Sequence, residues 1–234
     1  MLPILYEDEY LIAVDKPSDI HSSSLPGEDE AEITVATHLA AYLKNAELIS
    51  EKKEDAGLIQ RLDGSTSGII VAAKTRSVWM QLREALQQGA VHKTYLAVVE
   101  GEAGSEKIVS SYLGNPNRGA SKVRVYEEKP GKKERALPAR TIFKLAAFNK
   151  ILAISLVEAT APTARRHQIR VHAAHIKIPL LGDILYGATK TLGSVSPTHS
   201  SRNFILHASK MELDHPVSNR RIKIESAIDL GVLF

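Results

Sequence analysis

One carboxylate in this chain stands out because of its surroundings in the sequence. Asp63 lies within residues 60–71 (QRLDGSTSGIIV), on a turn rich in Gly, Ser and Thr that runs directly into an apolar strand. A side chain held at the end of a strand is fixed in position yet reachable from a cleft, which suits a nucleophile. The competing interpretation is a turn residue that hydrogen-bonds its own backbone beside Gly64.

A second block, residues 163–172 (TARRHQIRVH), supplies the positive charge that an ionised Asp would need. Its periodicity predicts a helix over residues 165–176. Arg170 lies at the edge of the apolar stripe of this helix, where an Arg usually pairs with a carboxylate. The alternative is a surface Arg that lays its stem on the core. Composition alone does not identify the carboxylate that would pair with Arg170.

Two further side-chain types have both a structural and a chemical interpretation. Tyr95 lies in the middle of a predicted strand, where Tyr is usually core packing, but it also offers an aromatic face and a phenol hydroxyl. His167, His172 and His175 share the predicted helix without a nearby Cys or acidic ligand other than Asp183. This spacing favours capping, packing or phosphate-facing roles, so we predict no metal site.

Composition excludes several classes of protein. The chain has 234 residues, a net charge of +3 and no Cys, which excludes disulfides and thiolate chemistry and favours a cytoplasmic location. No apolar run is long enough to span a membrane, and the N-terminus has no signal pattern. The pI is about 9.0. The sequence also contains three basic clusters, each of which is either solvated surface or a polyphosphate site. They are Lys129, Lys132, Lys133 and Arg135; Arg165, Arg166 and Arg170; and Arg220, Arg221 and Lys223.

The order of elements predicts an α+β fold. Apolar segments predict strands at 4–6, 10–15, 68–73, 91–99, 141–147, 151–158, 204–213 and 221–225, and helices at 32–46, 77–88 and 165–176. We expect Ser77 to cap the second helix, an irregular segment with short antiparallel strands at 101–139, and a mobile loop at 188–201. Because strands and helices do not alternate regularly, we predict a mixed, largely antiparallel sheet with flanking helices.

Several collinear blocks together resemble the RluA-type family of RNA pseudouridine synthases. The resemblance is carried by residues 60–71, 93–101 (KTYLAVVEG) and 163–172, and by the shorter blocks 5–8, 16–17, 179–187, 206–208 and 215–216. Gln60 replaces the usual His of the family and Ala164 replaces its usual Gly. These departures concern RNA engagement and local backbone geometry rather than the reaction class. Since the catalytic pattern begins at residue 4, we expect a single catalytic domain over 1–234 without an N-terminal RNA-binding module.

The resemblance implies a fold, a reaction and roles for named residues. The fold would be a mainly antiparallel sheet in two halves with a catalytic cleft, and neither a metal nor an organic cofactor is implied. Asp63 would be the nucleophile, Tyr95 would stack on the target uracil and assist proton transfer, and Arg170 would pair with Asp63. The sequence leaves open whether Asp63 attacks the sugar, attacks the base or acts as a base. Arg61 would help to displace the target nucleotide.

The implied substrate is structured RNA, either ribosomal or transfer RNA. Phosphate contacts position RNA without reading its sequence. We expect such RNA contacts from Arg165, Arg166, His167, Gln168, Lys132 and Lys133, in addition to Arg61. We expect no membrane association and no protein partner, and we take a monomer as the default.

Two other functions remain as alternatives. The first is a non-catalytic RNA-binding protein on the same fold, which the presence of Asp63, Tyr95 and Arg170 disfavours. The second is a nucleoside or glycoside hydrolase, which usually needs a second carboxylate. Glu158 and Asp183 are available for that role, but neither lies in a motif of that kind.

Overall fold

A computed structural model describes residues 2–24, 33–115, 121–195, 203–230 and 233–234. The chain forms two compact units, the first made of Met1–Lys93 and His207–Ile228 and the second of Thr94–Leu206 and Asp229–Phe234. The predicted single catalytic domain stays a prediction.

Within the described residues, the strands are β1 (Ile4–Glu7), β2 (Leu11–Lys16), β3 (Ser67–Ala73), β4 (His92–Glu100), β5 (Glu106–Gly114), β6 (Arg124–Tyr126), β7 (Leu137–Asn149), β8 (Ile154–Thr160), β9 (Leu206–Asp214) and β10 (Arg221–Glu225). The α-helices there are α1 (Val35–Tyr42), α2 (Arg76–Gln87), α3 (Gln168–His175) and α4 (Leu192–Val195). None of these helices is long and apolar enough to cross a membrane.

The first unit is built on the apolar strand β3. Antiparallel partners β1 and β2 lie on one side of it, and β9 pairs with it in parallel on the other side and antiparallel with β10. Successive side chains of a strand point to opposite faces. Ile69 and Val71 therefore pack with Trp79 and Leu82 of α2, whereas residues 70 and 72 pack with α1. A strand buried on both faces holds its N-terminal end, and with it the preceding turn, in a fixed position.

The second unit is an antiparallel sheet in the order β4–β8–β7–β5–β6. Helix α3 covers it with Ile169 and Ala173, which belong to the same apolar cluster as Ala97, Phe143 and Val157. The two units together confirm the predicted mixed, largely antiparallel sheet with flanking helices.

The predicted start of α3 was wrong by three residues. Arg165, Arg166 and His167 form a turn before the helix, in which the Gln168 amide donates to the Arg165 carbonyl at 3.2 Å and the Gln168 side chain accepts from the Arg165 amide at 3.1 Å. His167 has a φ of 53°. Since left-handed conformations interrupt a right-handed helix, periodicity alone extended α3 too far.

Other predicted elements differ from the structure in detail. Thr75, not Ser77, caps α2. The segment predicted as irregular contains the nine-residue strand β5. The first predicted helix is shorter, since Thr34 caps it and it ends at Tyr42.

The predicted mobile loop at 188–201 falls partly on residues that the structure does not describe, since residues 196–202 are outside the described ranges. Within the predicted mobile loop at 188–201, residues 192–195 form α4.

Candidate active site

The Asp63 turn lies in the first unit and is fixed mainly by its backbone. The Thr66 amide donates to the Asp63 carbonyl at 3.0 Å, and the Asp19 amide donates to the Gly64 carbonyl at 2.9 Å. On the other side, Ser22 Oγ both donates to the Leu62 carbonyl and accepts from its amide. Asp63 itself is half-buried. The sequence here folds into a tight turn that holds this half-buried carboxylate at the start of β3.

Gly68 explains how the turn passes into β3. Its φ is 105°, and a Cβ there would lie 2.4 Å from the Ala208 carbonyl oxygen of β9. Ser67, one residue earlier, places its Oγ 2.9 Å from His207 Nδ1. The close approach of β3 and β9 therefore requires glycine, and it fixes the exit of the Asp63 turn.

A fully buried lysine lies under the same turn. Lys16 Nζ donates to the Gly64 carbonyl at 2.8 Å and to the Pro17 carbonyl at 2.9 Å. Burial lowers the pKa of Lys16 to about 8, against the opposing influence of the Asp19 and Asp63 carboxylates. At neutral pH the ammonium is thus charged, and it stabilises both the turn and the negative charge of Asp63.

Lys16 predicts an alkaline limb in the rate of any reaction that depends on Asp63. Above about pH 8 the folded chain loses the Lys16 proton, so the rate at saturating substrate should fall. The unfolded chain keeps this proton up to a pKa of about 10.4. Between these two pKa values the unfolded state binds more protons than the folded state. The titration of Lys16 should therefore make the folded protein more stable as the pH rises through this range. Lys16→Met should be slower at pH 7 and lack this limb. Lys74→Met, which removes a lysine paired with Glu7, should keep the alkaline limb. An unchanged pH profile in Lys16→Met would contradict the role of the Lys16 ammonium.

In the second unit, Arg170 forms a bidentate ion pair with Asp183. Arg170 Nε donates to Asp183 Oδ2 at 2.7 Å and Nη2 donates to Oδ1 at 2.9 Å. Their side chains are 8% and 1% exposed. The guanidinium also packs over the rings of Phe204 and Tyr186, with Cζ at 4.3 and 5.1 Å from the ring centroids. Arg170 is therefore held as a rigid, oriented cation.

From the sequence, Asp183 was only a carboxylate available for a hydrolase, and its pairing with Arg170 was not predicted. The one available signal was Gly182-Asp183 within the block at 179–187, because a turn after a proline can return a side chain to the preceding helix. The predicted pairing of Arg170 with Asp63 stays a prediction. Tyr95 is half-buried on β4, opposite Ala159 of β8, and packs against the apolar cluster of this unit.

The predicted RNA-binding side chains fall into two groups. Arg61, Lys132 and Lys133 are exposed. The others hold the backbone around the start of α3: Arg165 Nε donates to the Pro138 carbonyl, Arg166 Nη2 to the Ser121 carbonyl, Gln168 Nε2 to the Arg140 carbonyl, and His167 Nδ1 lies 2.8 Å from Tyr186 Oη. Residues 165–168 thus have a structural function whether or not they also contact RNA.

The histidines of α3 are engaged with other groups. His172 is fully buried, with Nε2 2.9 Å from Ser111 Oγ and Nδ1 2.8 Å from Thr141 Oγ1. His175 Nε2 lies 3.9 Å from the exposed Glu127 carboxylate. In the described part of the chain, no three His, Cys, Asp or Glu side chains are grouped as metal ligands would be.

Because of His172, we predict that the folded protein loses stability in acid. Burial, with a smaller contribution from His175, lowers the pKa of His172 from 6.5 to about 4. Between these values the unfolded chain binds a proton that the folded chain does not, so stability should fall by up to about 3 kcal/mol as the pH drops from 6.5 to 4. Urea titrations should show a shallower pH slope for His172→Gln, whereas the exposed variant His175→Gln should retain most of it. Identical slopes in all three proteins would refute this assignment.

With this geometry in place, comparison with known proteins identifies the family. A family model described as RNA pseudouridylate synthase matches residues 10–175. The chain belongs to this family. Ribosomal large subunit pseudouridine synthase D of Nitrosomonas europaea is 34% identical over 97% of this chain and 62% of that protein. The uncharacterized RNA pseudouridine synthase YhcT of Bacillus subtilis is 34% identical over 96% of this chain and 68% of its own length. The chain thus spans roughly two thirds of these curated relatives.

A solved structure agrees with the pseudouridine synthase fold. Human RNA pseudouridylate synthase domain containing 4 superposes with a TM-score of 0.71 at 20% identity, covering 97% of this chain and 89% of that one. At this identity the likeness concerns the fold alone, and it confirms the predicted fold class.

The two departures from the usual pattern of pseudouridine synthases have different structural consequences. Gln60 is buried, and neither amide atom has a hydrogen-bond partner among the described residues. An unpaired buried polar atom destabilises a protein, typically by about 1–3 kcal/mol. Ala164 is exposed and is absent from the described non-glycine residues with positive φ. The backbone before α3 therefore accommodates a Cβ at this position.

Proposed function

We propose that this chain isomerises uridine to pseudouridine in structured RNA. The observation that carries the proposal is the Asp63 turn, which resembles the catalytic turn of the RluA-type family, in a chain that belongs to the RNA pseudouridylate synthase family. The turn presents one accessible carboxylate from a buried strand and places a lysine ammonium beside it.

The reaction breaks the carbon–nitrogen glycosidic bond of uridine, rotates the uracil and joins the same sugar to a ring carbon. No atom is gained or lost, so no co-reactant is needed. In this proposal Asp63 acts as the nucleophile, and Tyr95 stacks on the uracil so that it does not escape. Arg170 pairs with Asp63, and its positive charge balances the negative charge of the carboxylate.

RNA recognition in this proposal combines flipping of one nucleotide with phosphate contacts. Extruding a base costs a few kcal/mol, and Arg61 assists this step. The exposed cations Lys132 and Lys133, together with residues 165–168, contact the RNA around it. Both ribosomal and transfer RNA are candidate substrates, and recognition rests on RNA shape and unpaired bases. A cytoplasmic location and a monomer go with this proposal.

Purified protein provides the direct test. Total RNA from cells that lack the gene is incubated with the protein, and pseudouridine is mapped at nucleotide resolution. The proposal expects one or a few uridines to be converted, without release of free uracil. Free uracil would favour a hydrolase, and RNA binding without conversion of any site would favour a non-catalytic RNA-binding protein.

A further inference from the structure

Tyr186 connects three parts of the second unit through one side chain. Its hydroxyl accepts a hydrogen bond from the Val123 amide at 2.9 Å and lies 2.8 Å from His167 Nδ1. Its ring packs against the guanidinium of Arg170, 5.1 Å from ring centroid to Cζ. The backbone amide of Tyr186 donates to the carbonyl of Asp183 at 3.0 Å. Tyr186 thus contacts Val123, His167, Arg170 and Asp183.

The hydroxyl of Tyr186 can both donate and accept a hydrogen bond. Burial raises the pKa of Tyr186, so the phenol keeps its proton at neutral pH. Because the oxygen already accepts from Val123, its proton is available to His167 Nδ1. His167 has a left-handed backbone, which is unfavourable for a residue with a Cβ. The bond from Tyr186 therefore helps to hold the residue that precedes α3, and hence the orientation of that helix and of Arg170.

Val123, whose amide donates to the Tyr186 hydroxyl, belongs to a basic segment. We define the basic arm as residues 121–138. It is tied to the turn before α3 at both ends, by Arg166 to the Ser121 carbonyl and by Arg165 to the Pro138 carbonyl. Its exposed cations are Lys122, Arg124, Lys129, Lys132, Lys133 and Arg135. Val123, between two of these cations, is buried in an apolar cluster with Val171 of α3, against which Tyr186 packs.

We infer that Tyr186 is a positioning residue that couples contact between the basic arm and the RNA backbone to the placement of Arg170. Phosphates that bind the arm change the position of the Val123 segment. Because the Tyr186 hydroxyl is bonded to the Val123 amide and lies beside His167, this change in position reaches His167 and the Tyr186 ring that supports Arg170. The isomerisation rate at saturating RNA then depends on the arm, and not only the affinity for RNA. This inference rests on the proposed function for its kinetic consequence.

A double-mutant cycle tests the coupling. Lys132→Ala/Lys133→Ala should lower the single-turnover rate at saturating RNA, and Tyr186→Phe should lower it by about fivefold, the effect expected when a hydrogen bond worth about 1 kcal/mol is lost. In the combined variant the losses should not add. Tyr42→Phe, which removes a surface hydroxyl bonded to Glu7, is the matched control and should keep the wild-type rate. Additive losses, an unchanged rate in either variant, or a loss of affinity alone would overturn the inference.

A spectroscopic measurement separates this inference from the proposed reaction. In the free protein, the Arg170 Nε–H resonance should shift and exchange faster with water in Tyr186→Phe but not in Tyr42→Phe. An unperturbed resonance overturns the positioning role even if the wild-type protein is active. A perturbed resonance in Tyr186→Phe, combined with a wild-type protein that converts no uridine, supports the positioning role and rejects the proposed function instead.

Discussion

Asp63→Asn is expected to abolish pseudouridine formation, with a loss of at least about 10⁴-fold, which is typical when an enzyme loses its nucleophile or an essential partner of it. The amide has nearly the same shape as the carboxylate but cannot act as a nucleophile or base. Since the turn is held by backbone bonds and by Lys16, the variant should fold. Its affinity for substrate RNA should be equal to that of the wild type or slightly higher, because one negative charge near the phosphates is gone.

Asp19→Asn is the matched control for this prediction. Asp19 carries the same charge, lies close enough to influence Lys16, and has a positive φ that Asn tolerates well. Single-turnover assays on the same RNA should therefore give a rate close to wild type for Asp19→Asn. Turnover by Asp63→Asn comparable with that of the control would show that Asp63 is not the nucleophile.

Loss of the Asp183 carboxylate is expected to have the second largest effect, on stability as well as on rate. Asp183→Ala removes the bidentate partner of a buried guanidinium, and breaking such a pair typically costs about 3–5 kcal/mol. Urea denaturation should show this loss. The exposed pair between Arg221 and Asp214 offers a control, since Asp214→Ala should change stability by no more than about 1 kcal/mol.

A double variant separates the structural effect of this pair from the catalytic one. Arg170→Met/Asp183→Leu replaces both charges by apolar groups, which often restores stability. We expect it to recover much of the lost stability while remaining inactive, because the proposed reaction needs the Arg170 cation. Wild-type stability in Asp183→Ala would contradict the ion pair, and activity in the stabilised double variant would contradict the role of Arg170.

The elements that the sequence predicted well are those specified by local pattern. The apolar run at 68–73, preceded by Gly, Ser and Thr, needed only strand alternation and turn chemistry to be placed, and it forms β3 after the Asp63 turn. The last strand, at 221–225, agrees residue for residue. The predicted strands at 141–147 and 151–158 correspond to β7 and β8, although β7 begins at Leu137, earlier than expected.

The features that the sequence did not reveal depend on contacts between distant segments. Asp183 became the partner of Arg170 only when the chain after Pro179 folded back onto α3. Tyr186 gained its role from the Val123 amide, far away in sequence. The left-handed residue His167, which delays α3, lies beside this same hydroxyl. Lys16 was recognised as part of a short block, but its burial under the Gly64 carbonyl follows from the packing of β2 beside β3.

Genetic complementation tests in cells whether Asp63 forms pseudouridine. Cells without this gene are complemented with the wild-type gene or with the Asp63→Asn variant at matched protein levels, and pseudouridine is mapped across ribosomal and transfer RNA. The wild type should restore one or a few specific pseudouridines, and the variant should restore none. The same sites restored by both genes, or by neither, would show that Asp63 does not carry out this reaction.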